Sequence, residues 1–516
     1  MVTADSALSC SPMAFRSVLW AEWVKFRTVR GWLIGLVIAV LVCVLFTYLV
    51  ANGTHSGTCT GTGSTCQNGH PAVPTGPDGE AVADSYQYLS RPLSGNGTIT
   101  VQVTSLTGLV STNPTNVAPT LSATRPGLAG WAKAGLLLTP TTSQGSSYAA
   151  IMATGGHGIH FQYDYTHDQR GTVSADSARW VRLTRVGDTI TGYESADGTS
   201  WQDVGAAHLS GLPATVQVGL FVTAPVTFQG ETGYSTQATG SFDHVTVTGT
   251  TDGDWQSHSV GMNEADFYPT LGTGGSRSSG NGFVLTGSGD IGPAVVEGIL
   301  GSDTVSSTLL LGLIVGLIVL IVIAAMFITS EYRRGLIRTT LTATPQRGRV
   351  LAAKAIVIGG IAFMIGAGAA AAAVPVGEHL LAGNGAYVFP ATAATVGRIV
   401  VGCGLVTALT AVAVLALGAI LRRSAGAVTA GIVVFVLPYV IGSSLSGSTA
   451  TWLFRVTPAA AFSVLDVLPR SALVDYPYTL ANGYYPLPAW AGLLVLAAYA
   501  AVALGAARLL LGRRDA

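Results

Sequence analysis

The side chains most able to do chemistry in this sequence are concentrated in residues 330–349, SEYRRGLIRTTLTATPQRGR. Five arginines, one glutamate and one proline follow directly on TLLLGLIVGLIVLIVIAAMFIT, which carries no charge. Guanidinium groups bind carboxylates and phosphates, and Glu331 lies three residues before Arg334, the spacing of an ion pair on a helix. The pattern predicts a short basic amphipathic helix over residues 331–344, which Pro345 ends. Such a helix can bind lipid headgroups or a partner protein.

A second candidate site is the stretch GGHGIHFQYDYTHDQ, in which His157, His160 and Asp164 could ligate a metal ion. In a strand over residues 159–166, His160, Gln162 and Asp164 share one face, and apolar or aromatic residues share the other. This is the pattern of a half-buried strand with a solvated polar face. We favour the solvated strand, and keep a metal site and a glycan or peptide contact as alternatives.

Three common enzyme sites are missing from the sequence. A phosphate-binding P-loop needs Gly-Lys before Ser or Thr, and each of the three lysines, Lys25, Lys133 and Lys354, follows valine or alanine. A sandwich glycosidase needs two carboxylates about 5 to 10 Å apart, and no E-x-D-x-x-E run occurs. An H-E-x-x-H metalloprotease motif is also absent. The sequence therefore favours a protein that is not an enzyme and binds no cofactor of its own.

A membrane fold must position these side chains. The chain has 516 residues, of which 49% are hydrophobic and only 10% charged, against about a quarter charged in soluble proteins. Its 26 basic and 26 acidic residues balance, which gives no indication of a nucleic-acid partner. The predicted fold is a polytopic α-helical membrane protein with six transmembrane helices. The six apolar stretches long enough to cross about 30 Å of hydrocarbon are residues 31–50, 308–330, 350–377, 398–421, 425–446 and 488–511.

The basic residues indicate the orientation of the chain. They cluster in residues 1–30, in residues 331–354, at Arg422 and Arg423, and at the end of the sequence. By the positive-inside rule these parts face the cytoplasm, where fifteen basic residues accompany four acidic ones. Both termini are then cytoplasmic and residues 51–307 extracytoplasmic, as in a multi-pass protein of the cell membrane.

Ahead of the first span, MAFRSVLWAEWVKFRTVRGW predicts an amphipathic helix. One broad side of this helix carries Phe15, Leu19, Trp20, Trp23 and Phe26, and the remaining positions carry Arg16, Glu22, Lys25 and Arg30. An aromatic apolar face indicates a helix that lies in the membrane interface. The alternative, a simple basic anchor, does not need that face.

Residues 84–300 show the period-two alternation of β-strands. GTITVQVTSL, WVRLTRVGDTITGYES, VQVGLFVTA and FDHVTVTGT predict strands, with hairpin turns at Gly187-Asp188 and Asp197-Gly198. They predict an all-β antiparallel sandwich inserted between the first two spans. The run WVRLTRVGDTITGYESADGTSWQDVG, with the strands that follow it, resembles the concanavalin-like, laminin-G-like jelly rolls of exported bacterial proteins. That resemblance implies binding of a glycan, of a protein or of no known ligand.

Residues 51–83 are rich in Gly, Thr and Ser and predict a linker to the sandwich. The linker contains CTGTGSTC, with Cys59 and Cys66 placed outside the cytoplasm, where disulfides persist. We predict a small loop closed by a disulfide, the alternative being two free thiols in a flexible tether.

The stretch EYRRGLIRTTLTATPQRGRVLAAKAIV matches the pattern E-[FY]-R-x-G-x-I-x-x-T-L-x-x-x-P-x-R of bacterial ABC-2-type ABC-transporter permeases. The matching residues are Glu331, Arg333, Gly335, Ile337, Thr340, Leu341, Pro345 and Arg347. The interfacial helix, the tight LRRSAG turn between spans four and five and the apolar segment 447–487 also resemble this family. The alanine-rich, glycine-rich and lysine-poor composition is typical of a GC-rich, actinobacterial genome.

The resemblance implies that residues 331–349 form a coupling helix that docks on a separate ATP-binding subunit. The residues assigned to this docking are Glu331, Arg333, Arg334, Gly335, Arg338, Thr340, Pro345 and Arg347. ATP is then bound by the partner, and a second permease subunit, identical or different, completes the pathway within the lipid bilayer. Segment 447–487 is then expected to hold re-entrant helices on the exterior side.

Three functions remain open at this point. The favoured one is an exporter subunit for an apolar or amphipathic cargo, because the cores of the six spans, taken as 355–377, 399–421 and 488–507 in the third, fourth and sixth, carry no charge. The alternative is a membrane-anchored sensor that binds an exterior ligand or glycan, although six spans exceed what an anchor needs. An intramembrane hydrolase is the third, and the membrane half holds a single histidine, His379.

Overall fold

The computed structural model describes most of the chain, in two parts that differ in secondary structure. The described residues are 15–53, 73–115, 120–172, 179–229, 232–261, 270–295, 302–303, 305–333, 346–384, 387–443, 445, 447–468, 470–475 and 483–513. Helices predominate in the described residues up to 53 and from 305 onwards, and strands predominate in those between.

The helical part contains nine α-helices among the described residues. They are α1 Phe15–Thr28, α2 Arg30–Gly53, α3 Val305–Arg333, α4 Arg347–Gly383, α5 Ala393–Leu421, α6 Ser424–Phe435, α7 Leu437–Ser443, α8 Gly447–Val456 and α9 Ala489–Arg513. Six helical stretches have the length and apolar composition needed to cross a membrane: α2, α3, α4, α5, α6 together with α7, and α9. The predicted set of six long apolar helices is therefore confirmed, as is compatibility with a multi-pass membrane protein.

The third and fifth spans differ from their predicted bounds. Helix α4 begins at Arg347, three residues before the predicted span, and continues through Pro375. The fifth span is divided, because α6 ends at Phe435 and α7 begins at Leu437. Pro438 lies in the first turn of α7, where its missing N–H has no intrahelical partner to lose.

Helices α4 and α5 pack closely through small residues. A Cβ atom at Gly366 would lie 2.1 Å from Thr407 Oγ1 and 2.8 Å from the carbonyl oxygen of Cys403. The Thr407 hydroxyl donates across the helix pair to the carbonyl oxygen of Ala362, at 2.8 Å. Small residues that bring backbones together, and hydroxyls that bond across them, are the usual basis of helix association in membranes.

This crossing yields a prediction with a matched control on the same helix. Gly366→Ala is expected to destabilise the protein by about 1–3 kcal/mol relative to Gly368→Ala, because overpacking a tight contact forces the helices apart. A Cβ at Gly368 meets nothing within 4 Å, so both variants gain the same helix propensity and only one clashes. The measurement is thermal unfolding in detergent, and equal transition temperatures would contradict the described packing.

The other part of the molecule is a large, nearly closed antiparallel β-sheet. The strands are β1 Val82–Asp84, β2 Tyr86–Pro114, β3 Thr124–Pro126, β4 Lys133–Thr139, β5 Ala149–Thr154, β6 Ile159–Tyr163, β7 His167–Arg170, β8 Arg179–Val186, β9 Thr189–Ser195, β10 Gln202–His208, β11 Thr215–Thr223, β12 Thr227–Gln229, β13 Thr232–Thr251, β14 Gln256–Val260, β15 Gly275–Ser279, β16 Gly282–Gly287, β17 Ile291–Pro293, β18 Ser302–Asp303 and β19 Tyr387–Val388. The large sheet contains β2 to β16, whereas β1 with β17 and β18 with β19 form two separate pairs. The main path runs β10-β9-β8-β2-β11-β4-β5-β6-β7, and the long strands β2 and β13 pair along most of their length.

The predicted strands and hairpin turns are present. Val186 pairs with Thr189 across the Gly187-Asp188 turn, where Gly187 has φ 63°, a conformation that favours glycine. The core between the sheet layers is apolar, with Leu136, Ile151, Phe161, Leu183 and Leu220 all buried, among others. Alternation of apolar and polar residues along the strands therefore located one buried face correctly.

The second face of strands β4 to β6 is also buried, which the alternation did not predict. His160 and Gln162, expected on a solvated face, are only 5% and 1% exposed. The short strands β1 and β17 pair with each other, and Val82 and Ile291 join the apolar cluster on this side of the sheet. The fold also begins before residue 84, since the predicted linker contributes the buried residues 81–83.

The β part contacts the helical part through the loops between helices. Strand β18 pairs with β19, which lies between α4 and α5. The Tyr484 hydroxyl, just before α9, donates to the carbonyl oxygen of Val295. The segment between the fifth and sixth spans contains α8 and a 3-10 helix, Pro458–Leu465, whose eight residues are all buried. Short packed helices are thus present where re-entrant helices were expected.

Candidate functional site

Four charged side chains meet at the ends of three helices, in what we call the ion network: Glu22, Lys25, Glu331 and Lys354. Lys354 Nζ donates to Glu22 Oε2 at 2.6 Å and to Glu331 Oε1 at 2.8 Å. Lys25 Nζ donates to Glu22 Oε1 at 2.9 Å and to Glu331 Oε1 at 3.3 Å. The network joins α1, the end of α3 and the beginning of α4 in one charge-balanced cluster.

Helix α1 supplies two members of the ion network, Glu22 and Lys25, because the face that carries Glu22 packs against the protein. Val18, Glu22 and Phe26 recur every four residues and are buried, whereas Trp20 and Trp23 are exposed. Glu22 therefore points into the protein, contrary to its predicted place on the polar side of the interfacial helix. The sequence pattern placed it there because hydrophobicity alone does not distinguish a buried, paired carboxylate from a solvated one.

An aromatic cluster borders the ion network. The rings of Phe26, Trp32 and Phe327 lie 5.3 to 5.4 Å apart, centroid to centroid. Lys354 Nζ lies 4.7 Å from the centroid of the Phe327 ring, within cation–π range. Lys354, Glu22 and Glu331 are 1%, 1% and 8% exposed, so water reaches little of the cluster.

Burial makes the pairing in the ion network energetically important. A buried charge costs several kcal/mol unless an opposite charge and hydrogen bonds compensate it. Burial lowers the pKa of Lys25, but hydrogen bonds and charges from Glu22 and Glu331 outweigh this and raise it overall. Glu331 Oε2 is buried and has no hydrogen-bond partner among the residues that the structure describes.

Two other described residues of the motif, Tyr332 and Arg347, also contact other helices. Arg347 Nη1 donates at 2.6 Å to the carbonyl oxygen of Leu511, in the last turn of α9, where carbonyls lack intrahelical partners. The Arg422 guanidinium, at the turn between α5 and α6, lies 5.4 Å from the Tyr332 ring. Arg333, between these contacts, is exposed. Residues on both sides of segment 334–345 are therefore anchored to other helices.

Most of the predicted docking residues, and the predicted disulfide, lie outside the described residues. This applies to Arg334, Gly335, Arg338, Thr340 and Pro345, and to Cys59 and Cys66. Of the predicted helix 331–344, the structure describes residues 331–333, which form the end of α3. Glu331, Arg333 and Arg347 are the predicted docking residues that the structure places.

The three candidate metal ligands make other contacts. His160 Nδ1 lies 2.9 Å from Asp168 Oδ2, and the His157 ring stacks on Trp131 at 4.2 Å. Strand β6 ends at Tyr163, and Asp164 instead accepts a hydrogen bond from the Ser147 hydroxyl at 2.6 Å. No cluster of three or more His, Cys, Asp or Glu side chains with metal-binding geometry occurs among the described residues. The expected grouping of His160 with Asp164 on one strand face was therefore wrong.

A second buried polar cluster lies inside the β part, around Asp84. Asp84 Oδ2 accepts hydrogen bonds from the Tyr165 hydroxyl at 2.9 Å and from the N–H of Gly145 at 2.8 Å. Asp84 Oδ1 is buried and has no partner within the described ranges. Burial raises the pKa of Asp84 to about 7, and the two hydrogen bonds offset part of that shift. Nearby, Lys133 donates to Asp290 at 2.8 Å, and both side chains are buried.

Sequence reasoning missed Glu22 and Lys354 as members of a site. A usable signal was present, since only three of the 26 basic residues are lysines. All three, Lys25, Lys133 and Lys354, make ion pairs. A flexible stem with a compact ammonium group fits between two buried carboxylates, whereas the planar guanidinium is larger. The ion network is suited to holding the three helices together.

Comparison with known proteins gives little further information. No protein-family model matches the chain, and no curated protein matches it. Among solved structures, the crystal structure of a functionally unknown protein from Saccharomyces cerevisiae matches with 15% sequence identity and a TM-score of 0.19. The match covers 35% of this chain and 86% of that one, and the TM-score is too low to support an argument about fold or function.

Proposed function

We propose that this chain is the membrane-spanning permease subunit of an ABC-2-type ABC exporter, powered by a separate ATP-binding subunit. The observation that carries the proposal is the ion network at the root of segment 334–345. Glu331, the first residue of the coupling motif, is held by Lys354 of α4 and, through it, by Glu22 of α1. Because these side chains are bonded to one another, a force applied to that segment would be transmitted to α1, α3 and α4.

The second end of the segment supports the same mechanism. Arg347 begins α4 and is bonded to the last turn of α9. Closure of the ATP-binding subunits would press on segment 334–345, and the anchored ends would pass the movement into α3, α4 and α9. Helix α1 would follow, because it shares the ion network with α3 and α4. ATP would be bound and hydrolysed entirely by the partner.

The proposal fixes a topology and a subunit composition. Residues 1–30, segment 331–349 and both termini face the cytoplasm, and residues 51–307 lie outside the cell membrane. A second permease subunit, of the same or another chain, completes the pathway, because six helices supply half of one. The short helices in 447–487 line the exterior exit, and the cargo is apolar or amphipathic.

The exterior β part is proposed to be a laminin-G-like jelly roll. Its contacts favour a second candidate function, that of a sensor for an exterior ligand or glycan. Tyr484 bonds to Val295, and His157 Nε2 lies 3.8 Å from Asp475 Oδ1, so the β part touches the segment before α9 directly. Binding of a ligand to the β part near these contacts would change the position of the segment before α9 and hence of the helices. A sensor would not need an ATP-binding partner, which separates the two functions.

The experiment is co-purification with a candidate ABC ATP-binding protein, chosen from the genes neighbouring that of this chain, followed by measurement of ATPase stimulation. Arg333→Ala combined with Arg334→Ala and Arg338→Ala is expected to weaken binding of that protein at least tenfold, or by about 1.4 kcal/mol. The reason is that arginines on a coupling helix would pair with acidic groups of the partner. Stimulation should fall in parallel.

The matched control replaces Arg27 and Arg513, which are exposed basic residues proposed to face the same side of the membrane. Arg27→Ala with Arg513→Ala should bind and stimulate the ATPase as the unsubstituted chain does. Unchanged binding of the triple variant would refute the coupling role of the motif. Absence of any ATP-binding partner would favour the sensor.

A further inference from the structure

An open groove runs between α1 and α4, beside the ion network. It has a volume of about 1020 Å³, at the upper end of the range for ligand sites, roughly 300–1,000 Å³. Its walls are apolar and aromatic, with Trp20 and Trp23 on α1 and Ile356 and Met364 on α4. Trp20 and Met364 are 63% and 75% exposed, so large apolar surface is left uncovered.

The groove contains one charged lining residue, Arg16. No acidic side chain pairs with Arg16 within the described part of the chain. Val18, two residues further on, packs with Val350 and Ala353, so this end of α1 lies level with the first turns of α4. The positive charge therefore lies ahead of the apolar wall that begins at Ile356.

The dimensions of the apolar wall match one leaflet of a bilayer. The lining residues of α4 extend from Ile356 to Ile365, which is about 14 Å at about 1.5 Å per residue. Half of the hydrocarbon thickness of about 30 Å is about 15 Å. Tryptophans are typical of the headgroup boundary, and Trp20 and Trp23 lie on the same helix as Arg16.

We propose that this groove is a binding site for an anionic glycerophospholipid. The phosphate of the headgroup pairs with Arg16, and the acyl chains lie along α4 from Ile356 to Ile365. The lipid would wedge between α1 and α4, next to the ion network that joins them. The proposal does not depend on the chain being a transporter.

The test uses the full-length chain in vesicles of phosphatidylcholine with a minor share of phosphatidylglycerol. Bromine atoms on the acyl chains of one lipid or the other quench nearby tryptophan fluorescence. The quenching that is lost in the double variant Trp20→Phe, Trp23→Phe comes from the tryptophans of the groove and therefore measures lipid bound there. Brominated phosphatidylglycerol should be preferred about fivefold per mole, which corresponds to the ~1 kcal/mol of one arginine near an anionic surface.

Two pairs of variants decide the outcome. Arg16→Gln should abolish the preference, whereas Arg27→Gln, the same charge change on α1 away from the groove, should retain it. Gly360→Leu should fill the groove and reduce quenching by both lipids, since a Cβ there meets nothing within 4 Å. Gly368→Leu, equally unobstructed and outside the groove, should not.

Each remaining outcome overturns the proposal. Equal loss in Arg16→Gln and Arg27→Gln would mean general attraction to a negative surface. Undiminished quenching in Gly360→Leu would mean that lipid does not occupy the groove. Absence of quenching by either lipid in the unsubstituted chain would mean that protein, such as a second copy, covers this face.

Discussion

Replacing Lys354 with methionine is expected to destabilise the protein by about 3–5 kcal/mol, the usual cost of removing one partner from a buried ion pair. The substitution conserves much of the side-chain volume and leaves the two carboxylates of Glu22 and Glu331 with a single ammonium, that of the partly exposed Lys25. Both carboxylates are buried, so solvent cannot replace the lost partner. Thermal unfolding of the detergent-solubilised chain, followed by loss of monodisperse protein, measures the effect.

Lys25 provides the matched control within the same network. It contacts both of the same carboxylates, but its side chain is 42% exposed, against 1% for Lys354. Exposed ion pairs contribute about 0–1 kcal/mol, so Lys25→Met should cost about 1 kcal/mol or less. Two lysines with the same partners are thus expected to differ several-fold in their effect, because one is solvated and the other is not.

A rescue experiment separates charge from packing. Adding Glu22→Gln and Glu331→Gln to Lys354→Met removes the unpaired charges and should recover most of the lost stability. If the destabilisation comes from poor packing of methionine, the triple variant will be no more stable than Lys354→Met. Equal effects of Lys354→Met and Lys25→Met would contradict the buried ion network itself.

Local sequence patterns predicted the elements of this fold because each pattern reflects a local requirement. Uncharged runs of about twenty residues had to become long apolar helices, and alternation from Arg179 to Ser195 had to become a hairpin. The partners of the ion network depend instead on chain folding. Lys354 and Glu22 are 332 residues apart in sequence, and no local pattern couples them.

The second buried face of the β part was unpredictable for the same reason. Alternation in residues 159–166 correctly indicated that two faces differ, but not that both would be covered. Val82 and Ile291, which come from the two ends of the domain, join Leu137, Ala150 and Met152 of β4 and β5 in one buried apolar cluster on this face. From sequence alone, a polar residue on such a face is predicted to be solvated, because the segments that bury it are distant in the chain.

The pKa of Asp84 gives the second large expected effect, on stability as a function of pH. Its ordinary pKa of 3.8 is raised to about 7 in the folded protein. The folded state therefore holds this proton more tightly than the unfolded state does. The resulting stabilisation of the folded protein is fully present below about pH 4 and is lost as the pH rises towards 7. A pKa rise of this size corresponds to roughly 4 kcal/mol of stability.

Asp84→Asn should remove this pH dependence. The amide oxygen can accept the same hydrogen bonds from Tyr165 and Gly145 while carrying no charge, so the variant should be about as stable as the unsubstituted chain near pH 4 and more stable near pH 8. Hydrogen exchange in β1 and β4 of the full-length chain, corrected for the intrinsic rate, measures local stability at both values.

Asp197→Asn is the matched control, because the surroundings of Asp197 lower its pKa, whereas those of Asp84 raise it. Asp197 is exposed, and hydrogen bonds from the N–H groups of Ser200 and Thr199 hold its pKa below the ordinary value. Its stabilisation is present throughout the range above about pH 4 and is lost only below it. Asp197→Asn should therefore change stability equally near pH 5 and near pH 8. If Asp84→Asn behaves in the same way, Asp84 is ionised in the folded protein, and the buried cluster must satisfy its charge through a contact to Oδ1.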